Sequence, residues 1–318
     1  MCPTFLATGE DVMATRGRAN TIRAVLEGRL DGDGDPLAST ALDSALSNCL
    51  SCKACTTECP SNVNMALLKA ELLHAQHQKF GVPLAARIVS RVDILGMLGS
   101  LTPRLTNASL QWGWLRKLLQ RFAGFSLERP LPPYALERFD TWFHRREAPT
   151  LVGDRGTVYL WDDCFVRHNE PNIGKAAVKV LEAAGYTVNL LVQRACCGRP
   201  AFSTGRLDLA RSFGEKNMRL VADSEAPIIF LEPSCYSMFA EDYRELGIKG
   251  AEKVAKRSIL FEDFIDQLLA TDSKALPFSD APMRTAIHGH CHAKSLTGTG
   301  ATGRIARAVP NNDVQLLD

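Results

Sequence analysis

The chain has 318 residues, 46% of them hydrophobic and 23% charged, which is the range of an ordinary globular protein of about two domains. A formal charge of +2, from 37 basic and 35 acidic residues without any Lys/Arg block, excludes the basic field that nucleic acid requires. No apolar run reaches the ~18 residues of a membrane-spanning helix, because Arg87, Arg91, Asp93, Arg104 and Arg116 interrupt the best stretches.

The N-terminus MCPTFLATGEDV has no apolar signal core, and most of the ten cysteines gather in two groups, so a reducing cytoplasm is expected. Cys2-Pro3 opens the chain, and Cys2 reads either as a remote metal ligand or as an idle thiol. Thr15 reads as the N-cap of a helix through Arg16, Ile22, Val25 and Leu26 that ends at Gly28. The segment DGDGDP at 31–36 imitates a calcium loop but has Pro36 where glycine is required and Leu42 where a bidentate Glu belongs, so it reads as a solvated turn.

Residues 37–48 and 62–79 carry apolar positions at helical spacing and flank the run CLSCKACTTECP at 49–60. Cys49, Cys52, Cys55 and Cys59 follow the C-x2-C-x2-C-x3-C-P pattern of bacterial ferredoxins. Three thiolates two residues apart can converge on three corners of a 4Fe-4S cluster, with Cys2 as the remote fourth ligand. Cys59 then points to another site, and the proline turns the chain away. Zinc is the competing reading, although structural zinc sites usually present paired C-x2-C units separated by a longer loop.

From Pro83 to Arg146 the text stays helical but is broken by Pro103, Pro130, Pro132 and Pro133. Within it, SLQWGWLRKLLQRF at 109–122 combines Trp112, Trp114 and several leucines with Arg116, Lys117 and Arg121. Such a helix suits either a membrane surface or docking on the second domain of the same chain.

At Thr157 the period changes. TVYLWDDC, TVNLLV and PIIFLEPSC read as strands alternating with helices at 171–184 and 206–222, which argues a parallel, doubly wound sheet. Cys164, Cys196, Cys197 and Cys235 fall at or just beyond the carboxyl ends of those strands, the edge along which open α/β sheets bind ligands. Their convergence in one metal site is expected, against the alternative of buried structural cysteines. RTAIHGHC ending at Cys291 repeats TVYLWDDC at an offset of 127 residues (291 − 164), and DVQLL repeats TVNLLV, so a second copy begins and stops short of its own Cys-Cys-Gly. His168, His288, His290 and His292 lie near strand ends as substitute ligands, proton carriers or polar neighbours. No Walker loop or G-x-G-x-x-G segment follows a strand, so no nucleotide site is expected in this chain.

Taken together, MCPTFLATGEDVMATRGRA, CLSCKACTTECP, FVRHNEPNIGKAAVKVLEAAGY, CCGRP, EPSC and HGHCH resemble the iron–sulfur portion of FAD-linked 2-hydroxyacid dehydrogenases of the D-lactate and D-2-hydroxyglutarate type. Glycolate oxidase iron–sulfur subunits and the cysteine-rich (CCG) domains of heterodisulfide reductase B-type subunits are related. The resemblance implies that Cys2, Cys49, Cys52, Cys55 and Cys59 are 4Fe-4S ligands and that Cys164, Cys196, Cys197, Cys235 and Cys291 belong to the cysteine-rich motif. It also implies an FAD-binding dehydrogenase domain or subunit outside this chain, with a quinone or other acceptor downstream. Glu232 stands where the related repeats carry the first cysteine of a C-x2-C pair, which leaves the type of metal centre there open.

The expected architecture is α+β and multidomain. It comprises a helical 4Fe-4S domain at 1–80, a Pro-broken helical linker at 81–150, and an α/β cysteine-rich domain at 151–318, with its first repeat at 157–280 and an incomplete second at 284–318. The expected role is electron transfer from flavin, in the cytoplasm or on the inner face of the cell membrane. The chain is expected to be a fragment of a longer one, since Met1 aligns with an internal methionine of the family pattern. Rival readings are a disulfide- or quinone-reducing cluster enzyme and a zinc-stabilised docking module.

Overall fold

The computed structural model describes residues 2–30, 34–61, 63–147 and 154–317. The turn read at 31–36 lies partly outside the described residues, as does the domain boundary placed at 150. Of that turn, Asp35 is described: its carboxylate accepts from the Leu37 amide and starts the short 3-10 turn Pro36–Ala38.

The N-terminal part is all helical. Helices Thr15–Leu26, Thr40–Ser47 and Met65–Phe80 bury Ile22, Val25, Leu42, Leu46 and Met65 in one small core, against which Cys49 and Cys55 pack. The expected Thr15 cap is corrected here. Ala14 holds the extended cap position with no side-chain bond, and Thr15 is already the first helical residue. Gly28 does follow the helix, with a φ of 71°.

The segment after Pro83 forms five further helices, Leu84–Val89, Val92–Gly99, Pro103–Ser109, Gly113–Ala123 and Phe139–Arg145. Pro103 starts a helix instead of breaking one, because the first turn needs no donor from that residue. Val92–Gly99 packs on the α/β part through Gly96, where a Cβ would stand 2.4 Å from the His168 ring.

In the α/β part, β1 (Thr157–Trp161), β2 (Thr187–Leu190), β3 (Ile228–Phe230) and β4 (Ser258–Leu260) form one parallel sheet in the order β2-β1-β3-β4. Strand side chains alternate between faces. Trp161, Ile228 and Phe230 go to a core with Phe202, Phe213, Phe239 and Tyr243, while Val158, Leu160, Val188 and Ile229 go to one with Phe139, Val178, Leu181 and Ile265. Because β1 leads first to β2 on one side and β3 lies on the other, the strand order reverses between β1 and β3. A crevice therefore opens beyond their carboxyl ends.

The second copy is present as β5 (Met283–His288), helices Cys291–Leu296 and Gly300–Ala308, and β6 (Asn312–Leu317). β5 and β6 pair in parallel with each other, as β1 and β2 do. The expectation that the strand near Val314 adds to the first sheet is corrected, because β5 and β6 form a separate two-stranded sheet.

Candidate metal centre

Two groups of cysteines are assembled, one in each part. In the helical part, Cys2, Cys49, Cys52 and Cys55 line a single recess of about 360 Å³ together with Arg18, Ser51, Lys53 and Met65. Residues distant in sequence are held there by specific bonds. Thr4 Oγ1 donates to the Asn48 carbonyl at 2.8 Å, which ties the first helix to the cysteine run, and Lys69 Nζ donates to the Cys49 carbonyl at 2.6 Å. Arg18 is 2% exposed; its Nε donates to the Ala45 carbonyl at 2.8 Å and its Nη1 to Cys2 Sγ at 3.1 Å. Cys59 does not face this recess. It lines an adjoining one with Cys2, Cys55, Phe5, Arg16 and Val63.

The acidity of these thiols follows from their surroundings. Burial works to raise that of Cys2, but the Phe5 and Thr4 amides and the Arg18 guanidinium outweigh it and bring the thiol below its ordinary value. Burial raises Cys55, with the neighbouring Cys52 and Cys49 adding to it, whereas the Val63 and Ser61 amides lower Cys59. A thiolate at Cys2 beside a fixed guanidinium suits ligation of a cationic iron centre. The four sulfur donors on one recess fit a 4Fe-4S cluster by the chemistry of the donor set.

The second group sits at the crevice of the sheet. Cys164 begins the helix after β1, whose cap is Asp163 Oδ1 accepting from the Phe165 and Val166 amides at 2.8 and 3.0 Å. Cys196 and Cys197 follow β2 and are succeeded by Gly198 at a φ of 87°, a left-handed conformation that glycine adopts without cost. Cys235 lies in the helix Pro233–Ser237 after β3, capped by Glu232. Cys197 and Cys235 share a hydrogen bond with their sulfurs 3.0 Å apart, and Cys164 bonds Cys196, which in turn bonds Cys197. Four sulfurs delivered by three separate segments thus lie in one row at the sheet edge.

As thiols, these four hold their protons tightly. Its hydrogen bond to Cys196, together with burial, pushes Cys164 well above the usual range. For Cys235 the bond with Cys197 works downward, but burial and the Asp163 and Glu232 carboxylates prevail and push it up to about 12. Burial also lifts the Asp163 carboxyl to about 6, against the pull of the Val166 amide. Thiols crowded this closely and shielded from water gain most from a metal that replaces their protons, and its binding must release those protons. The positive charge nearest them is Arg194, whose Nη1 lies 3.9 Å from Cys164 Sγ and whose Nε donates to the fully buried Asp162 at 3.0 Å.

Cys291 stands apart from these four. It starts an exposed helix turn next to the N-terminal run, where the neighbouring Cys52 thiol contributes to raising its pKa and Ser295 Oγ donates to the Cys52 carbonyl at 3.2 Å. The ligand atoms of His290, Cys291 and His292 lie within 4.8 Å of one another. His168 is a polar neighbour, bonded through Nδ1 to Ser100 Oγ at 2.9 Å, and His288 ends β5 on the exposed face. Sequence reading misses Arg18, Lys53, Arg194, Arg199 and Asp242. For Arg199 a signal is available, since it directly follows Cys-Cys-Gly.

Comparison with known proteins agrees with this two-part construction. Residues 1–63 match the 4Fe-4S dicluster domain model and residues 158–240 the cysteine-rich domain model. The chain is 26% identical to an iron–sulfur-family relative in Escherichia coli, one of the subunits of its anaerobic glycerol-3-phosphate dehydrogenase, over 87% of this chain and 82% of that one. It is 32% identical to lactate utilization protein A 2 of Bacillus mycoides over 48% of this chain and 69% of that one. It is 24% identical to the D-2-hydroxyglutarate dehydrogenase of Pseudomonas putida over 93% of this chain, but only 32% of that longer protein. No solved structure matches. With a 4Fe-4S dicluster segment feeding sulfur ligands from one side and a cysteine-rich α/β segment from the other, the chain belongs to the family of iron–sulfur components of dehydrogenases built from these two domains.

Proposed function

We propose that this chain is the electron-relay module of an FAD-linked 2-hydroxyacid dehydrogenase, with the flavin in another domain or subunit and a quinone or comparable acceptor downstream. Its working parts are the 4Fe-4S domain at 1–80, the helical linker at 81–150 and the cysteine-rich domain at 151–318. Cys2, Cys49, Cys52 and Cys55 hold the first centre, with Cys59 on the adjoining face, and Cys164, Cys196, Cys197 and Cys235 hold the second. Thiolate-bound clusters supply one-electron chemistry at potentials of about −700 to +450 mV, set by burial and hydrogen bonds.

The observation that carries this reading is that the two cysteine groups share one interface. Ser51 and Lys53 of the first run bond directly to Arg199 and Asp242 beside the second group. Anaerobically purified chain should carry acid-labile sulfide and a visible absorbance that bleaches on mixing with the reduced flavoprotein. It should not oxidise D-lactate or D-2-hydroxyglutarate by itself. Zinc without sulfide, or substrate oxidation by the chain alone, would overturn the relay.

A specific surface favours work beside a membrane. Among the described residues no helix is long and apolar enough to cross one. On helix Gly113–Ala123, however, Trp114, Leu118 and Phe122 recur every fourth residue at 63, 47 and 64% exposure, so the alternative of docking on the chain's own second domain is not met. Leu101 and Leu105 are also exposed, at 71 and 63%. Lys117 and Arg121 share the face of Trp114, and no acidic residue occurs between Asp93 and Glu128, so its charge complements anionic lipid. Replacing Trp114, Leu118 and Phe122 together by Glu should lower cosedimentation with phosphatidylserine-containing vesicles at least tenfold. Equal binding by the wild-type and variant proteins would remove the lipid surface from the proposal.

A further inference from the structure

Two residues inside the first cysteine run, Ser51 and Lys53, have φ angles of 51° and 63°. This is the left-handed region, which glycine enters freely and L side chains enter only when their surroundings impose it. Neither position is glycine. Both are held from the other side of the molecule.

The Lys53 side chain is 1% exposed and does not reach solvent. Its Nζ lies 2.7 Å from Asp242 Oδ1 and 2.8 Å from Glu241 Oε2, in a π-helical turn, Met238–Asp242, of the cysteine-rich part. Asp242 is fully buried, and its Oδ2 accepts from Arg199 Nη1 at 3.0 Å and from Ser237 Oγ at 3.0 Å. The other arm of Arg199, Nη2, donates to the Ser51 carbonyl at 2.8 Å. One buried carboxylate and one buried guanidinium thus grip both left-handed residues of the loop between Cys49 and Cys55. Such a buried, fully paired network fixes geometry more than it adds stability.

We propose that the Arg199–Asp242–Lys53 chain is a template: the cysteine-rich part holds the loop of the N-terminal cysteine run in its ligating shape, so that the N-terminal centre loads and persists only when the two parts are docked. Arg199, Asp242 and Lys53 are positioning residues here, acting through the backbone at Ser51 and Lys53. This inference rests on the reading of Cys2, Cys49, Cys52 and Cys55 as cluster ligands. Local sequence contributes little to the loop shape, because Ser and Lys disfavour the φ they adopt, and the contact reaches across 189 residues (242 − 53).

The test exploits the difference between losing the ion pair and losing the conformation. Full-length Lys53→Ala and Lys53→Gly both delete the ammonium, but only glycine enters the left-handed region without cost. Each is purified anaerobically and assayed for iron, acid-labile sulfide and the reduced-state paramagnetic signal of the N-terminal centre, identified by its absence in Cys52→Ser. Lys53→Ala should lose more than half of that signal and release its iron to a chelator several-fold faster than wild type. Lys53→Gly should keep most of both. Asp242→Asn should resemble Lys53→Ala, and adding Lys53→Gly to it should restore the signal.

Equal signals in Lys53→Ala and Lys53→Gly, whether both full or both lost, would overturn the template. So would an Asp242→Asn protein that loads normally. A wild-type chain with no iron or sulfide at all would instead count against the cluster reading itself, which keeps the two failures apart.

Discussion

Cys197→Ser is expected to empty the cysteine-rich centre while leaving the N-terminal paramagnetic signal intact, and Cys52→Ser is expected to do the reverse. The reason is geometric. Cys197 is 3% exposed and lies in the middle of the chain Cys164, Cys196, Cys197 and Cys235, in hydrogen-bond contact with sulfur on both sides. Serine there offers a hard, poorly acidic oxygen in a pocket already crowded with neutral thiols, so the remaining three must hold a metal with one position unfilled. Cys52 lines the other recess with Cys2, Cys49 and Cys55, on the far side of Lys53 and Asp242. Iron, acid-labile sulfide and the spectrum of the reduced protein read the outcome. If either substitution empties both centres equally, the two groups form one site, and if neither changes the iron content, these cysteines are not ligands.

Much of this arrangement is legible in the sequence, and what is not has a common cause. The spacing of Cys49, Cys52 and Cys55 is local information, and so is the period-2 burial of Val158, Leu160 and Trp161 that marks β1. Because a parallel sheet brings the ends of β1, β2 and β3 to one edge, the meeting of Cys164, Cys196, Cys197 and Cys235 can be inferred without knowing any contact. β4 leaves little trace, since it has only three residues and runs directly into the helix that begins at Phe261. Thr15 suggests a cap by residue type alone, but the cap is set by backbone conformation, and Ala14 is the extended residue. The buried ions Lys53, Arg199 and Asp242 look like ordinary surface charges in the text. Only tertiary pairing over long sequence distances distinguishes them, and no local pattern encodes it.

Arg194→Met is the substitution expected to cost the most stability outside the cysteines. Asp162 lies immediately after β1, is fully buried, and accepts from Arg194 Nε at 3.0 Å and from Arg167 Nε at 2.6 Å. Arg194 is 7% exposed, also donates to the backbone carbonyl of Asp162, and lies over the Trp161 ring at 5.1 Å. Methionine retains apolar contact with that ring but leaves the carboxylate with one partner, and breaking a buried pair in this way costs about 3–5 kcal/mol. Arg167 remains, so the lower end, about 3 kcal/mol, is the expected loss in urea unfolding, read as a lower midpoint at unchanged slope. Adding Asp162→Asn removes the charge that was stranded and should recover part of that loss, since a neutral amide is easier to bury than a lone carboxylate. A loss below about 1 kcal/mol for Arg194→Met would mean that Arg167 alone satisfies Asp162, and that the guanidinium beside Cys164 serves the metal centre and not the fold.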